Sequence, residues 1–443
     1  MSRSKGPRLV AQVAGMIALV ACDTFGPPPD EGACGRNGAP CATTVRPATA
    51  TTLPATTTAR VPPVAGISVA GSGSRPSVTA PVGTAGRTAA TPTGSAGRVA
   101  EWTDTDAGVQ QSFASLDLSA RHIVADSKRG RIYATVAGNA KTYANSLVSI
   151  DGQTAKVVRD IPIGSEPSTL ALSDDGSTLW ISISGAAALR RVDIAGDELT
   201  AAEPIPLPTT CFDKPCVAGP LIVLPGTKDR VLAVVQEPGS GNSSSGVMLL
   251  VNGQPQANSL MMNELFGISA LTGGPPGYAY GYNGTSSGFD LFAIGISDTG
   301  ELAVSRHPGL ASGYYIDISY RENLVFASSG DVVDVKTPAS PLRAGRFATP
   351  GAILPLPGNA QALTVSVSTD PGGSNTGIPV TLSVMNVQNF TLIKSTLVGK
   401  FAPESFTQPR DLVQAGTTLA FLISRASEPS ILYLLQDIAE LAP

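Results

Sequence analysis

The stretch DIPIGSEPSTLALSDDGSTLWISISGAAALRRVDIAG, residues 160–196, decides the fold. Ile161-Pro162-Ile163-Gly164 ends one strand, Pro167 marks a turn, and Thr169 to Leu172 make the next strand. SDDG at 173–176 is a tight turn, Leu179 to Ile183 a third strand, and a further strand ends at Val192-Asp193. Short runs of β-branched and aliphatic residues, broken by Gly, Asp and Pro at close intervals, are the signature of antiparallel strands joined by tight turns.

The order of these parts resembles the YVTN-type β-propeller repeat, with its IPVG-like strand, Pro turn, inner strand, Pro-Asp-Gly turn and Leu-Tyr-Val strand. Weaker echoes occur at 131–138 with 146–154, and again at 323–338. Inner strands placed near His122, Thr169, Leu221, Ile268, Ile316, Ile353 and Asp411 are spaced by roughly 37 to 58 residues, the interval of propeller blades. The fold class expected is all-β, a seven-bladed β-propeller after a disordered N-terminal stalk. The last blade, from Arg410 to about Leu441, shows three strands, whereas Ser112 to Leu118 supplies one too many before the first inner strand. Pairing these two closes the ring and removes an exposed sheet edge.

Upstream of the propeller the chain changes character. Arg3, Lys5 and Arg8 precede an apolar run from Leu9 to Val20, the layout of a secretion signal. At about a dozen residues that run is shorter than the roughly 20 needed to span a bilayer. Leu19-Val20-Ala21-Cys22 resembles the lipobox of bacterial lipoproteins. The resemblance implies cleavage before Cys22, diacylglyceryl (palmitate-type) modification of its sulfur and attachment to the lipid bilayer. Residues 1–21 then form a signal peptide and 22–100 a Pro/Thr/Ala/Gly-rich stalk, typified by RPATATTLPATTTARVPPVAG at 46–66. Such a composition buries too little apolar surface to offset its ordering entropy. As a coil of about 75 residues it spans on the order of 50 Å. The propeller domain is assigned to 101–443, and the localisation expected is the cell envelope, on the outer or inner membrane.

A formal net charge of −4 with 14% charged residues offers no basic field for nucleic acid. The five cysteines divide into Cys22 and two close pairs: Cys34 with Cys41, six residues between, and Cys211 with Cys216, four between. In an exported chain these pairs are read as disulfides. The only histidines, His122 and His307, lie far apart in sequence, so no metal site and no cofactor is expected.

No G-x-S-x-G elbow, H-E-x-x-H pair, G-x-x-x-x-G-K-[ST] phosphate loop or C-x-x-C-H haem site is read in the chain, and no catalytic residue is assigned. His122, beside Arg121 at the start of the first inner strand, is the one histidine placed for chemistry at a channel mouth; a structural histidine at a blade seam is the favoured reading. His307 is read as exposed. DTDAGVQ at 104–110 is read as a solvated junction, lacking a full calcium-loop pattern. Tyr278, Tyr280 and Tyr282 alternate and share one strand face, which suits packing against the next blade better than an aromatic binding platform.

The loops 137–146, 237–246, 283–288 and 369–379 fall between the second and third strands of their blades, on the rim where chain enters each inner strand. Their Gly-Ser composition suits solvated insertions first, and a binding site, where one exists, is expected on that rim, because function collects on such loops. The rim and channel candidates are therefore Arg121, His122, Tyr143 in the first of these loops, and Asp213 and Lys214 inside the Cys211–Cys216 loop. The function expected is that of a monomeric, membrane-anchored binding or scaffolding module for an envelope protein or glycan. The rivals are a propeller enzyme of lyase or lactonase type and a structural surface-layer protein.

Overall fold

The computed structural model describes the chain from Phe113 to Ile438, apart from 197, 208–209, 212–213, 239–243, 257–259, 262–266, 368–377, 402–408, 424–429 and 437; before Phe113 it describes only the short strands Arg98–Val99, Trp102–Thr103 and Gln110–Gln111. All of these belong to the second of two units into which the chain divides, Arg87–Pro443. The expected signal peptide, Cys22, Cys34, Cys41 and nearly all of the stalk lie outside the described residues, as do 104–109 of the candidate junction.

The described residues form seven antiparallel sheets of propeller type. Their innermost strands are Ala120–Asp126, Pro167–Leu172, Val217–Val223, Ile268–Gly273, Ile318–Arg321, Ala352–Pro355 and Arg410–Ala415, numbered here as blades 1 to 7. Six of the seven inner-strand positions read from sequence fall inside these strands, and Ile316 stands two residues ahead of its own. Each innermost strand touches that of the next blade, and Arg410–Ala415 touches Ala120–Asp126, so the ring is closed. The expected closure is present. Phe113–Leu116 pairs with Ile431–Leu435 of blade 7, in the register Leu116 opposite Leu432 and Phe113 opposite Leu435.

Each seam between blades holds its own apolar cluster. The seam of blades 2 and 3, for example, gathers Trp180, Leu189, Ala218, Val231 and Leu250. A fully buried aliphatic side chain contributes about 1.5–3 kcal/mol, so the seams carry the stability that single four-stranded sheets lack. Polar side chains add direction to this packing. Trp180 Nε1 donates to the Lys228 carbonyl at 3.1 Å, and Ser182 Oγ to the Ala218 carbonyl at 2.7 Å, both stitching blade 2 to blade 3. Thr418 Oγ1 donates to the Gly152 carbonyl across the closing seam at 3.0 Å.

Tyr280 and Tyr282 are fully buried in the seam of blades 4 and 5, where their hydroxyls donate to the Pro338 and Gly313 carbonyls. Burial raises both phenol pKa values. The alternation in GYAYGYN thus marks packing. His307 differs from expectation: it is half-buried on the outer strand Leu302–Pro308, its Nε2 2.8 Å from Ser305 Oγ, and burial lowers its pKa.

Candidate functional site

Five of the innermost strands begin irregularly, and at the same level. Pairing shifts between Ala120 and His122 in blade 1, Pro167 and Leu170 in blade 2, Ala218 and Leu221 in blade 3, Ile268 and Ala270 in blade 4, and Arg410 and Val413 in blade 7. Arg121 and Ser269 are therefore extra residues in β-bulges, and the blade 7 bulge contains Asp411. A bulge re-aims the side chains it carries. Here the level is the rim where chain enters each inner strand.

Asp411 also has φ +54°, a left-handed conformation that is unfavourable for a residue with a side chain. With that turn its backbone N–H donates to the Asp317 carboxyl of blade 5. Its own carboxylate faces His122 of blade 1, Oδ1 lying 3.4 Å from Nε2, and its Oδ2 lies 3.3 Å from Arg410 Nη1. The same guanidinium donates to the Arg121 carbonyl at 2.8 Å. Arg121 in turn donates to Glu166 Oε2 at 2.7 Å, just ahead of the blade 2 inner strand. A Cβ at Gly138 would stand 2.3 Å from Glu166 Oε1, so a glycine there makes room for that carboxylate.

Pairing leaves two groups with unusual protonation. Burial holds the His122 pKa down, outweighing the Asp411 carboxylate, and Arg410 adds to the lowering. The carboxylate at Nε2 favours a proton on that nitrogen, leaving Nδ1 an acceptor; it is buried with no hydrogen-bond partner. Asp317 is pushed up to about 7 by desolvation and by the Asp411 charge, against Arg410 and the Asp411 N–H. Asp317 lines the channel, and more than a third of its surface is open. Ser269 Oγ, on the same channel wall, likewise has no partner.

The channel encloses about 770 Å³ and is lined by all seven innermost strands, with Ile123, Leu170, Leu221, Ile353 and Leu412 along its wall. At the far end the carboxylates tie blades together: Asp174 accepts from the Gly226 N–H at 2.7 Å and Glu322 from the Gly358 N–H at 2.9 Å. Of the buried side-chain atoms without a partner among the described residues, those on channel-lining residues are His122 Nδ1 and Ser269 Oγ. Among the described residues no group of three or more His, Cys, Asp or Glu is arranged to hold a metal ion.

Of the residues singled out from sequence, His122 lines the channel and Arg121 sits on the rim in its pair with Glu166. Tyr143 stands apart from both, half-buried against the apolar cluster of blades 7 and 1, where burial raises its pKa. Cys211 and Cys216 form the expected disulfide, both buried in the seam of blades 2 and 3. It closes a small hairpin in which Cys211 pairs with Lys214; Asp213 and the Lys214 side chain lie outside the described residues. Glu166, Ser269, Asp317, Arg410 and Asp411 are the site residues that sequence reading missed. The signal was a charged or polar residue at the entry of the inner strands of blades 1, 2, 4, 5 and 7, visible only after the strands are aligned by blade.

Contrary to the sequence reading, the string Gly284-Thr285-Ser286-Ser287-Gly288 fits the G-x-S-x-G pattern of hydrolase nucleophiles. It lies in the loop after Tyr278–Asn283, with no helix behind it, and Ser286 Oγ is engaged by Asn283. That is a loop contact, not a nucleophile elbow.

No protein-family profile matches the chain, and no curated protein does. Solved structures do. The β-propeller domain of Cps50 (Swd1) from Myceliophteria thermophila is 12% identical, covers 71% of this chain and 95% of that chain, and gives a TM-score of 0.48. A protein from Lactobacillus plantarum is 16% identical over 67% of this chain and 89% of its own, TM-score 0.46. Apo AztD from Citrobacter koseri is 10% identical over 74% and 95%, TM-score 0.43. These are likenesses of fold.

Proposed function

We propose that this chain is an envelope lipoprotein, anchored through an acylated Cys22, whose YVTN-like propeller binds a small ligand at the entry rim of its channel. One observation carries the reading. His122 and Ser269, each with a buried polar atom that has no partner, and the Asp317 carboxyl stand on three blades at the mouth of a 770 Å³ cavity. The cations beside them are matched by carboxylates, Arg121 by Glu166 and Arg410 by Asp411. Near pH 7 the depressed imidazole is neutral and the raised carboxyl is about half protonated, so the mouth carries little net charge and suits a polar ligand without strong charge. Pockets of this kind, apolar walls with a few convergent polar groups, are the usual form of small-molecule sites.

The test is a thermal-shift screen of an uncharged metabolite and oligosaccharide library against the full chain, wild type and Asp317→Asn. Hits that shift the wild type and not the variant support the reading; hits indifferent to Asp317 place binding elsewhere. The anchor is tested separately by labelling cells with a radioactive fatty acid. The wild type should take up label and Cys22→Ser should not; equal labelling refutes lipidation.

A second reading has its own observation. A carboxyl with a pKa of about 7, across the channel mouth from an imidazole, is matched to proton transfer near neutral pH. A propeller lyase or lactonase would use Asp317 in that way. Turnover of a lactone or uronide panel by the wild type, lost in Asp317→Asn, would establish it over simple binding.

A further inference from the structure

The largest exposed aromatic surface among the described residues lies immediately beside the channel mouth. Tyr314 and Tyr315 expose 57% and 62% of their surface, in the connection that leads within two residues to Asp317. The other large apolar side chains so exposed are Leu342, Leu392 and Ile393, and they sit on the outer strands of blades 5 and 6.

The tyrosines are held, not loose. Tyr314 packs edge-on against Phe289, with ring centroids 4.9 Å apart and planes at 72°, and Phe289 rests on the core of blades 4 and 5. The Tyr315 N–H donates to the Gly284 carbonyl at 3.0 Å. Phe289 and Tyr315 both have left-handed backbones, φ +46° and +52°. For bulky residues that conformation is a true outlier, and such outliers collect where a side chain must be presented in one direction. Gly284 lies between the platform and the channel: a Cβ there would stand 2.4 Å from Ser269 Oγ and 3.0 Å from the Tyr315 nitrogen. The unpartnered Ser269 hydroxyl and the Tyr315 backbone are thus separated by one glycine.

We infer that this rim is a saccharide subsite, in which Tyr314 and Tyr315 stack against the C–H face of a pyranose ring whose hydroxyls reach Asp317 at the channel mouth. The inference rests on the channel-mouth reading above and names its ligand class. Aromatic faces attract the weakly positive C–H bonds of a sugar ring, while its hydroxyls hydrogen-bond the Asp317 carboxyl in either protonation state. Two rings offer far less than the roughly 800 Å² per partner of a stable protein interface. A nucleotide would stack equally well, but its phosphates would meet cations already matched by Glu166 and Asp411, in a chain of net charge −4.

The experiment is an array of neutral and acidic oligosaccharides probed with the detergent-extracted full chain, followed by calorimetric titration of the tightest binder. The variants are Tyr314→Ala, Tyr315→Gly and Asp317→Asn. The wild type should retain neutral pyranose oligosaccharides, and each tyrosine variant should weaken the tightest at least tenfold. Tyr315→Gly should melt no lower than the wild type, since glycine accepts the left-handed backbone without cost; this separates lost contact from lost fold. No saccharide retained, or one retained equally by both tyrosine variants, overturns the inference. The two readings fail differently. A ligand of another class, lost in Asp317→Asn and indifferent to the tyrosines, leaves the channel-mouth reading standing and removes the saccharide. If no ligand of any class responds to Asp317→Asn, both fall.

Discussion

Replacing Asp317 by asparagine should stabilise the propeller at alkaline pH and leave it unchanged at acid pH. Desolvation and the Asp411 charge raise the Asp317 carboxyl from 3.8 to about 7, with Arg410 opposing. The folded state therefore holds this proton more tightly than the unfolded chain does. Between pH 3.8 and about 7 the native protein carries an extra proton, so stability falls as pH rises through that window and the loss is complete above it. Taken in full, a shift of about three units corresponds to about 4 kcal/mol. Because the carboxyl faces channel water, screening reduces the effect, and we expect ~1–2 kcal/mol. Asn keeps the shape and cannot ionise. Urea midpoints of wild type and Asp317→Asn, compared at about pH 4 and about pH 8, read the difference. His122, whose depressed pKa costs stability as pH falls below its usual value, acts in both proteins and cancels. The expected gap is near zero in acid and favours the variant in base. A gap independent of pH, or one that favours the wild type in base, refutes the desolvated carboxyl at the channel mouth.

Three further outcomes follow from the fold. Cys211→Ser with Cys216→Ser opens a five-residue separation and should cost about 2 kcal/mol by loop-closure entropy, read as a lowered melting temperature with blades otherwise intact. Ala114→Pro places proline in the closing strand between Ile431–Leu435 and Arg98–Val99; it should cost on the order of 3 kcal/mol and promote aggregation, measured by light scattering on heating. Tyr282→Phe leaves the Gly313 carbonyl without its 3.0 Å donor and should cost about 1 kcal/mol in urea unfolding, with no effect on ligand binding.

The architecture was legible because a propeller repeats. One blade with a clear pattern, residues 160–196, fixed what to look for, and the inner strands could then be found by spacing. Closure was legible as arithmetic: a strand too few at the end and one too many at the start. What could not be read was detail that breaks the repeat. In blades 2 and 3 the outer strand is split, Thr200–Ala201 and Ile205–Pro206 in one and Gln254–Pro255 and Leu260–Met261 in the other, each pair bonded to a single neighbour. Pro204, Pro206 and Pro255 interrupt those stretches, and both fragments nevertheless remain in the sheet.

The site was harder to read for the same reason. His122, Asp317 and Asp411 stand far apart in the chain and meet only because the ring closes, so no local motif could join them. The alternating tyrosines at 278, 280 and 282 suit packing better than a binding platform, because alternation is the mark of a strand face, and strand faces in a closed propeller are spent on seams. Tyr280 and Tyr282 are buried for that reason. Tyr314 and Tyr315 are adjacent, so they cannot share a strand face, and it is this departure from strand pattern that leaves them exposed. Asp411 in its bulge and Tyr315 with its left-handed backbone obey the same logic. In a scaffold where every regular position is consumed by packing, the residues available to a ligand are those whose local conformation the repeat cannot supply.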